Sequence, residues 1–205
     1  MYRIVKRAID IVLSFLGLVV LSPVLLIVTV VILLTSKGPA LFSQTRVGIH
    51  KSEFKMYKFR SMKIDTPKNM PTHLLENPEQ YITGVGRFIR KTSIDELPQL
   101  FNILKGDMSI IGPRPALPNQ TDLLEERDRY GANDVRPGLT GWAQINGRDE
   151  LPIEVKARYD GEYCKNISFS FDLKCFFMTI GKVLRSDGYV EGDGGHRSPD
   201  ADKPD

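Results

Sequence analysis

A chain of 205 residues, 41% of them hydrophobic, holds enough apolar material for one folded domain with attachments. Its net charge of +3 comes from basic and acidic residues scattered along the whole length, so nucleic acid is not an expected partner. Cys164 and Cys175 form neither a disulfide framework nor a paired metal-ligand motif, which fits a reducing compartment. The isolated His50, His73 and His196 argue against a histidine-built metal site.

Taken in chain order, the first feature is a run from Ile11 to Leu34 without a charged residue, long enough to cross a bilayer. It is too long for a signal peptide, and no A-x-A-like cleavage site follows it. Arg3, Lys6 and Arg7 precede it and are expected on the cytoplasmic side. Ser22-Pro23 falls near its middle. Pro23 cannot donate to the carbonyl of Val19, so a kink is expected there, with the Ser22 hydroxyl satisfying part of the freed backbone. Two topologies fit these residues: a plain span, and a bent re-entrant hairpin that returns the chain to the side it came from.

After a break at Ser36–Pro39, alternating residues over Leu41–Val47 and Phe54–Arg60 flank a turn near Gly48–Lys51, the pattern of a β-hairpin with one apolar face. Lys55, Lys58 and Arg60 read as a solvated strand edge. Asp65–Thr83, with Pro67, Pro71 and Pro78, is a loop, and Tyr81–Lys91 a short helix. Gly84-Val85-Gly86 is no dinucleotide fingerprint, because no third glycine and no strand-helix frame accompany it.

The central stretch reads RKTSIDELPQLFNILKGDMSIIGPRP. Leu97, Leu100, Phe101 and Leu104 recur at helical spacing, which predicts a helix with that face on a core and Gly106 as its stop. The helix starts either with Asp95 as N-cap, or with Ser93 as N-cap and Glu96 completing a capping box. Either way Asp95 and Glu96 lie in the first turn. An acid pair there is most often a cap with favourable charge placement. Arg87, Arg90 and Lys91 before it, and Arg114 between Pro113 and Pro115 after it, supply the cations that a carboxylate attacking a phosphate would need.

Asp122–Tyr130 reads as an exposed charged helix. Val135–Arg148 crowds glycines, Pro137, Arg136 and Arg148 into a backbone shaped for close approach, either by a ligand or within a structural loop. Glu154–Lys165 is a polar helix carrying Asp160. Asp172–Arg185 places Leu173, Phe176, Phe177, Ile180 and Leu184 on one side, a stripe more often core than membrane contact, although a basic amphipathic helix also suits the headgroup level. Gly192–Asp205 has almost no apolar residue and is expected to be disordered.

The run SIDELPQLFNILKGDMSIIGPRP resembles the signature of the bacterial sugar transferases known as monotopic phosphoglycosyl transferases. The resemblance extends over KFRSM and RPGLTGWAQINGR, from the apolar segment to about Gly188. It implies a helix-dominated α+β fold with a small hairpin or sheet, and a re-entrant membrane helix broken at Ser22-Pro23. The parts would be a membrane helix at 1–36, a catalytic domain at 37–190 on the cytoplasmic face of the bacterial inner membrane, and a tail at 191–205. The implied reaction moves a phospho-sugar from a UDP-sugar to polyprenyl (undecaprenyl) phosphate through a covalent aspartyl intermediate. Asp95 would be the nucleophile. Glu96 would be a metal ligand or an acid/base group, and Asp160 would help hold Mg²⁺. Arg90, Arg114, Arg148 and, more weakly, Arg60 would bind phosphate.

Overall fold

A computed structural model describes residues 2–67, 77–147 and 151–185 of the chain. Arg148, the middle of the Asp65–Thr83 loop and the tail at 191–205 lie outside the described residues. The elements run α1 (Tyr2–Thr35), β1 (Leu41–Val47), β2 (Glu53–Phe59), α2 (Gly84–Lys91), α3 (Gln99–Lys105), β3 (Ser109–Ile111), α4 (Thr121–Asp128), β4 (Gly138–Thr140), α5 (Trp142–Asn146), α6 (Ile153–Lys165) and α7 (Phe169–Arg185). β1 and β2 form the expected antiparallel hairpin, with Leu41 opposite Phe59 and Val47 opposite Glu53. β3 and β4 make a second, two-stranded parallel sheet. The fold is helix-dominated α+β.

α1 is helical without interruption from Tyr2 to Thr35, so Ser22-Pro23 does not break it into two helices. The reason is local: the Ser22 hydroxyl donates to the Val19 carbonyl at 2.8 Å, replacing the bond that Pro23 cannot make. A helix of 34 residues measures about 50 Å, and this one is attached to the rest of the fold at both ends. Near its start, Tyr2 and Lys6 donate to Asp172 at 2.6 and 2.9 Å. Arg7 donates to the carbonyls of Ile103 and Leu104, where α3 ends and its carbonyls lack helical partners. The buried carboxylate of Asp10 accepts from Ser109 Oγ at 2.8 Å and from the Ile110 N–H at 3.0 Å. At the far end, the Arg60 guanidinium donates to the carbonyls of Ser36 and Lys37 and to Ser36 Oγ.

Between these anchors α1 completes two apolar clusters. Leu18 and Leu21 pack with Phe54, Met56, Leu100, Ile103 and Met108. Leu25, Val28 and Ile32 pack with Ala40, Phe59, Ile89 and Ile94. Its other faces leave Val12, Leu16, Val20, Ile27 and Leu34 exposed. α7 is also apolar outward. Asp172 and Cys175 are buried and Thr179 meets Thr140, whereas Leu173, Phe176, Phe177 and Ile180 are exposed, so the stripe is not core. The inner face combines Phe171 and Cys175, packed with Tyr163 and Trp142, with Asp172, which accepts from the buried Tyr163 hydroxyl at 2.7 Å.

One α3 side chain adds hydrogen bonds to the apolar packing of α3 on β2. Asn102, fully buried, accepts from the Tyr57 N–H at 3.0 Å and donates to the Lys55 carbonyl at 2.7 Å and to Asp107 at 3.1 Å. The buried face of α3 is therefore Gln99, Leu100, Asn102 and Ile103, while Phe101, expected inside, is 54% exposed. Replacing Asn102 with Leu strands a backbone donor and acceptor of β2 in the interior. Asn102→Leu is expected to lower the unfolding free energy by about 3 kcal/mol, read as a lowered urea midpoint in detergent.

Candidate active site

The chain leaves α2 through Ser93, whose backbone is left-handed (φ 56°), and enters a single 3-10 turn at Ile94–Glu96. α3 follows only from Gln99, after Pro98. Neither Ser93 nor Asp95 caps a helix: no side-chain cap bond closes the turn or α3. Pro98 accounts for the difference, because it supplies no N–H to be capped and its φ of −60° already suits a helix start. The role most often filled by an acid pair in this position is thus not the role of these two side chains.

Asp95 is 7% exposed, and burial pushes its pKa from an ordinary 3.8 up to about 6. Lys58 pulls it back most strongly, the neighbouring Glu96 pushes it up, and Arg90 and Arg114 pull it down. Glu96 accepts from Lys58 at 2.7 Å and lies 3.5 Å from the Arg114 guanidinium. Three cations from three segments of the chain thus surround two adjacent carboxylates.

Each cation is held by its own element. Lys58 follows Phe54 and Met56 on one face of β2, two apolar residues and then a cation. It had read as solvated edge, yet its place in that period of two marks it as inward-facing. Arg90 lies in the last turn of α2, which Thr83 caps by accepting from the Gly86 N–H at 2.9 Å. A Cβ at Gly86 would collide with the Ser61 carbonyl, so Gly86 lets α2 sit on the end of the hairpin. Arg114 sits on a segment bonded on both sides. Pro113 accepts from Gly138, Pro115 from Arg46, and Ala116 from the Val47 N–H.

Other expected site residues have different surroundings. Arg60 is buried and its fork is directed at the end of α1, not at phosphate. Asp160 is buried in an ion pair with Arg127, both Nε and Nη2 donating to one carboxylate oxygen at 2.8 and 2.6 Å. It joins α6 to α4, and Arg127 is the buried member of a charge run expected on the surface. Among the described residues no three His, Cys, Asp or Glu side chains converge, so Asp160 does not extend the Asp95–Glu96 pair into a metal cage. The pair alone fits Mg²⁺, a hard ion that takes one or two carboxylates and completes its shell with phosphate oxygens and water. Arg136 donates to the Gly106 carbonyl and helps Arg7 close the end of α3. A Cβ at Gly138 or Gly141 would collide with the backbone of Gly112, so those glycines serve the approach of β4 to the chain leaving β3. Asn102 and Asp10 were legible only as an ordinary helix residue and as a charge preceding an apolar run.

The model of the family described as "Bacterial sugar transferase" matches residues 1–186. The chain belongs to this family. It is 43% identical over 185 residues to the uncharacterized sugar transferase EpsL of Bacillus subtilis (strain 168), covering 90% of each chain. It is also 43% identical over 187 residues to the UDP-glucose:undecaprenyl-phosphate glucose-1-phosphate transferase of Escherichia coli (strain K12), covering 88% of this chain but 40% of that one. Over 206 residues it is 38% identical to the undecaprenyl-phosphate galactose phosphotransferase of Salmonella typhimurium, covering 91% of this chain and 42% of the relative. The chain thus spans about two fifths of the length of those two relatives.

The raised pKa of Asp95 has a consequence for stability. Its folded value lies above the unfolded one, so the folded state binds the proton more tightly and stability falls as the pH rises from about 4 to 6. Asp95→Asn is therefore expected to raise the unfolding free energy by up to about 3 kcal/mol above pH 6 and to make no such difference below pH 4. Melting curves at pH 4 and pH 7.5 check both limbs.

Proposed function

We propose that this family member transfers a phospho-sugar from a UDP-sugar to polyprenyl phosphate, releasing UMP, with Asp95 as nucleophile. The observation that carries the reading is the uncapped, buried Asp95 encircled by Lys58, Arg90 and Arg114. An Asp95 carboxylate oxygen attacks the β-phosphorus of the donor. The bond from that phosphorus to the bridging oxygen breaks, and UMP leaves with the electron pair. An oxygen of polyprenyl phosphate then attacks the same phosphorus, the bond to Asp95 breaks, and the carboxylate is restored. Burial keeps Asp95 reactive, while the cations keep enough of it ionised at neutral pH and offset the charge gathering on the phosphoryl oxygens. Arg114 acts as a planar fork on phosphate, Arg90 as a second cation, and Lys58 holds Glu96 beside the nucleophile. Arg148 is a further phosphate contact in this reading.

Asp95 and Glu96 would hold Mg²⁺, which when bound would neutralise diphosphate charge and draw the donor phosphorus toward attack. The exposed apolar faces of α1 and α7 favour transfer to a lipid acceptor over hydrolysis, because they suit a protein resting in one leaflet where such an acceptor resides. With both ends of α1 bonded to one body and no break between them, the same reading keeps α1 in one leaflet as an unbent anchor in place of a hairpin, and puts the domain on the cytoplasmic face of the inner membrane. The Escherichia coli relative is named for UDP-glucose and the Salmonella typhimurium relative for galactose, both with undecaprenyl phosphate, which supports the reaction class without choosing the sugar here.

Four measurements test this. Enzyme with a UDP-sugar and Mg²⁺ but no lipid should release about one UMP per site and gain one phosphosugar on the peptide carrying Asp95. Asp95→Asn should abolish both, and an adduct on Glu96 would assign the nucleophile differently. The rate of that burst should fall as the pH drops through about 6, because protonation removes the attacking carboxylate. Arg114→Lys, which keeps charge but loses the fork, should lower kcat/KM by roughly a hundredfold. Cysteines placed at Arg3 and Asp122 should both be labelled from the cytoplasmic side alone; labelling of position 122 from outside would establish a span.

A further inference from the structure

The helical run that starts at the Ile94–Glu96 turn has a polar side that the transfer reading uses only at Asp95. Leu97 (φ −55°, ψ −34°) and Pro98 (φ −60°, ψ −16°) keep right-handed backbone between the turn and α3. Residues three and four apart on such a run share a face, so Asp95, Gln99 and Asn102 form one stripe. All three are buried. The amide of Asn102 is bonded through both of its atoms to β2 and Asp107. Gln99 is different: it is 3% exposed, and its buried Nε2 meets no acceptor among the described residues.

A buried donor left unmet is destabilising, and an apolar residue of the same length would occupy the place without that cost. Buried polar groups without partners are rare in folded proteins, and catalytic roles are among their explanations. Direction supplies the next step. Long side chains in helices lean toward the N-terminus and lie over the preceding turn. For Gln99 that turn is the one carrying Asp95 and Glu96. The donors already around the pair, Lys58, Arg90 and Arg114, are all cationic. A neutral amide adds a directed hydrogen bond without pulling the pKa of Asp95 further down.

We propose that the Gln99 amide is a phosphoryl-binding donor of the active site, its Nε2 hydrogen-bonding a non-bridging oxygen of the phosphoryl group while that group is carried on Asp95. The inference rests on the transferase reading above. Gln99 gives up no proton in either half-reaction. It takes up its bond as the Asp95 oxygen closes on phosphorus and UMP departs, and releases it when the lipid phosphate displaces Asp95.

The test uses the full chain in detergent with Mg²⁺, undecaprenyl phosphate and whichever of UDP-glucose and UDP-N-acetylgalactosamine the unaltered protein turns over faster. Gln99→Met should melt at the same temperature as the unaltered protein or higher, since no protein hydrogen bond is lost. Its lipid-free UMP burst should slow roughly a hundredfold, with KM for the UDP-sugar little changed. Gln99→Glu keeps the size but presents a carboxylate to the phosphoryl oxygens, and should be slowed at least as much. A Gln99→Met protein that melts lower and loses activity in step would make Gln99 a packing residue and overturn the inference. A full-rate burst from either variant would also overturn it while leaving the transferase reading intact. No UMP from the unaltered protein with either donor would remove that reading and this inference together.

Discussion

The Ile94–Glu96 turn is fixed by the packing of its two flanks against α1. Ile94 enters the cluster built on Val28 and Ile32, and Leu100 enters the one built on Leu18 and Leu21, with its side chain against Gly17. The acids between them are therefore tied at both ends to the helix most apolar in the chain. α1 is a wall of the folded domain as well as an attachment to it. Asp10 and Arg7 set its register, because a buried carboxylate and a guanidinium on the helix-end carbonyls of α3 tolerate little sliding. Any displacement of α1 would move Ile94 and Leu100, and the carboxylates with them.

Opposing electrostatic effects then tune the site. Burial pushes the Asp95 carboxyl toward its protonated form, and the cations pull it back toward the carboxylate. Burial outweighs the cations only enough to set a pKa of about 6. The cations arrive on separate elements, with Asn102 tying β2 to α3 so that Lys58 lies across from Glu96. Arg114 depends on a segment strung between β1 and β4, and Arg90 on a helix that approaches the hairpin through Gly86. Arg136 and Arg60 serve helix ends instead, which shows how little a residue's charge alone says about its task.

Two helices turn apolar side chains outward while burying polar ones. α1 hides Asp10 and Ser14, and α7 hides Asp172, whereas Phe15, Val20, Phe176 and Phe177 are exposed. In water this arrangement would be costly by any measure of apolar exposure. At a lipid surface it is the favourable one, since the buried polar atoms are hydrogen-bonded within the protein and the apolar groups need no partner there. The Asp172 carboxylate joins the two helices by accepting from Tyr2, Lys6 and Tyr163.

Sequence alone determined what local chemistry controls. The uncharged run, the alternation of the hairpin, the stop at Gly106 and the acids with arginines on either side depend on residue type and spacing, which the chain displays directly. The family resemblance was legible for the same reason, being carried by an unbroken run of residues. Tertiary structure alone decided which cations meet Asp95, because Lys58 and Arg60 look alike in sequence, yet Lys58 on β2 faces Glu96 while Arg60, just past the strand, closes the end of α1. It moved Asp160 from the expected metal site to Arg127, a partner on another helix that no spacing predicts. It also turned Phe101, Phe176 and Phe177 outward and Asn102 inward, since a helical period marks an apolar face without saying whether protein or lipid will cover it.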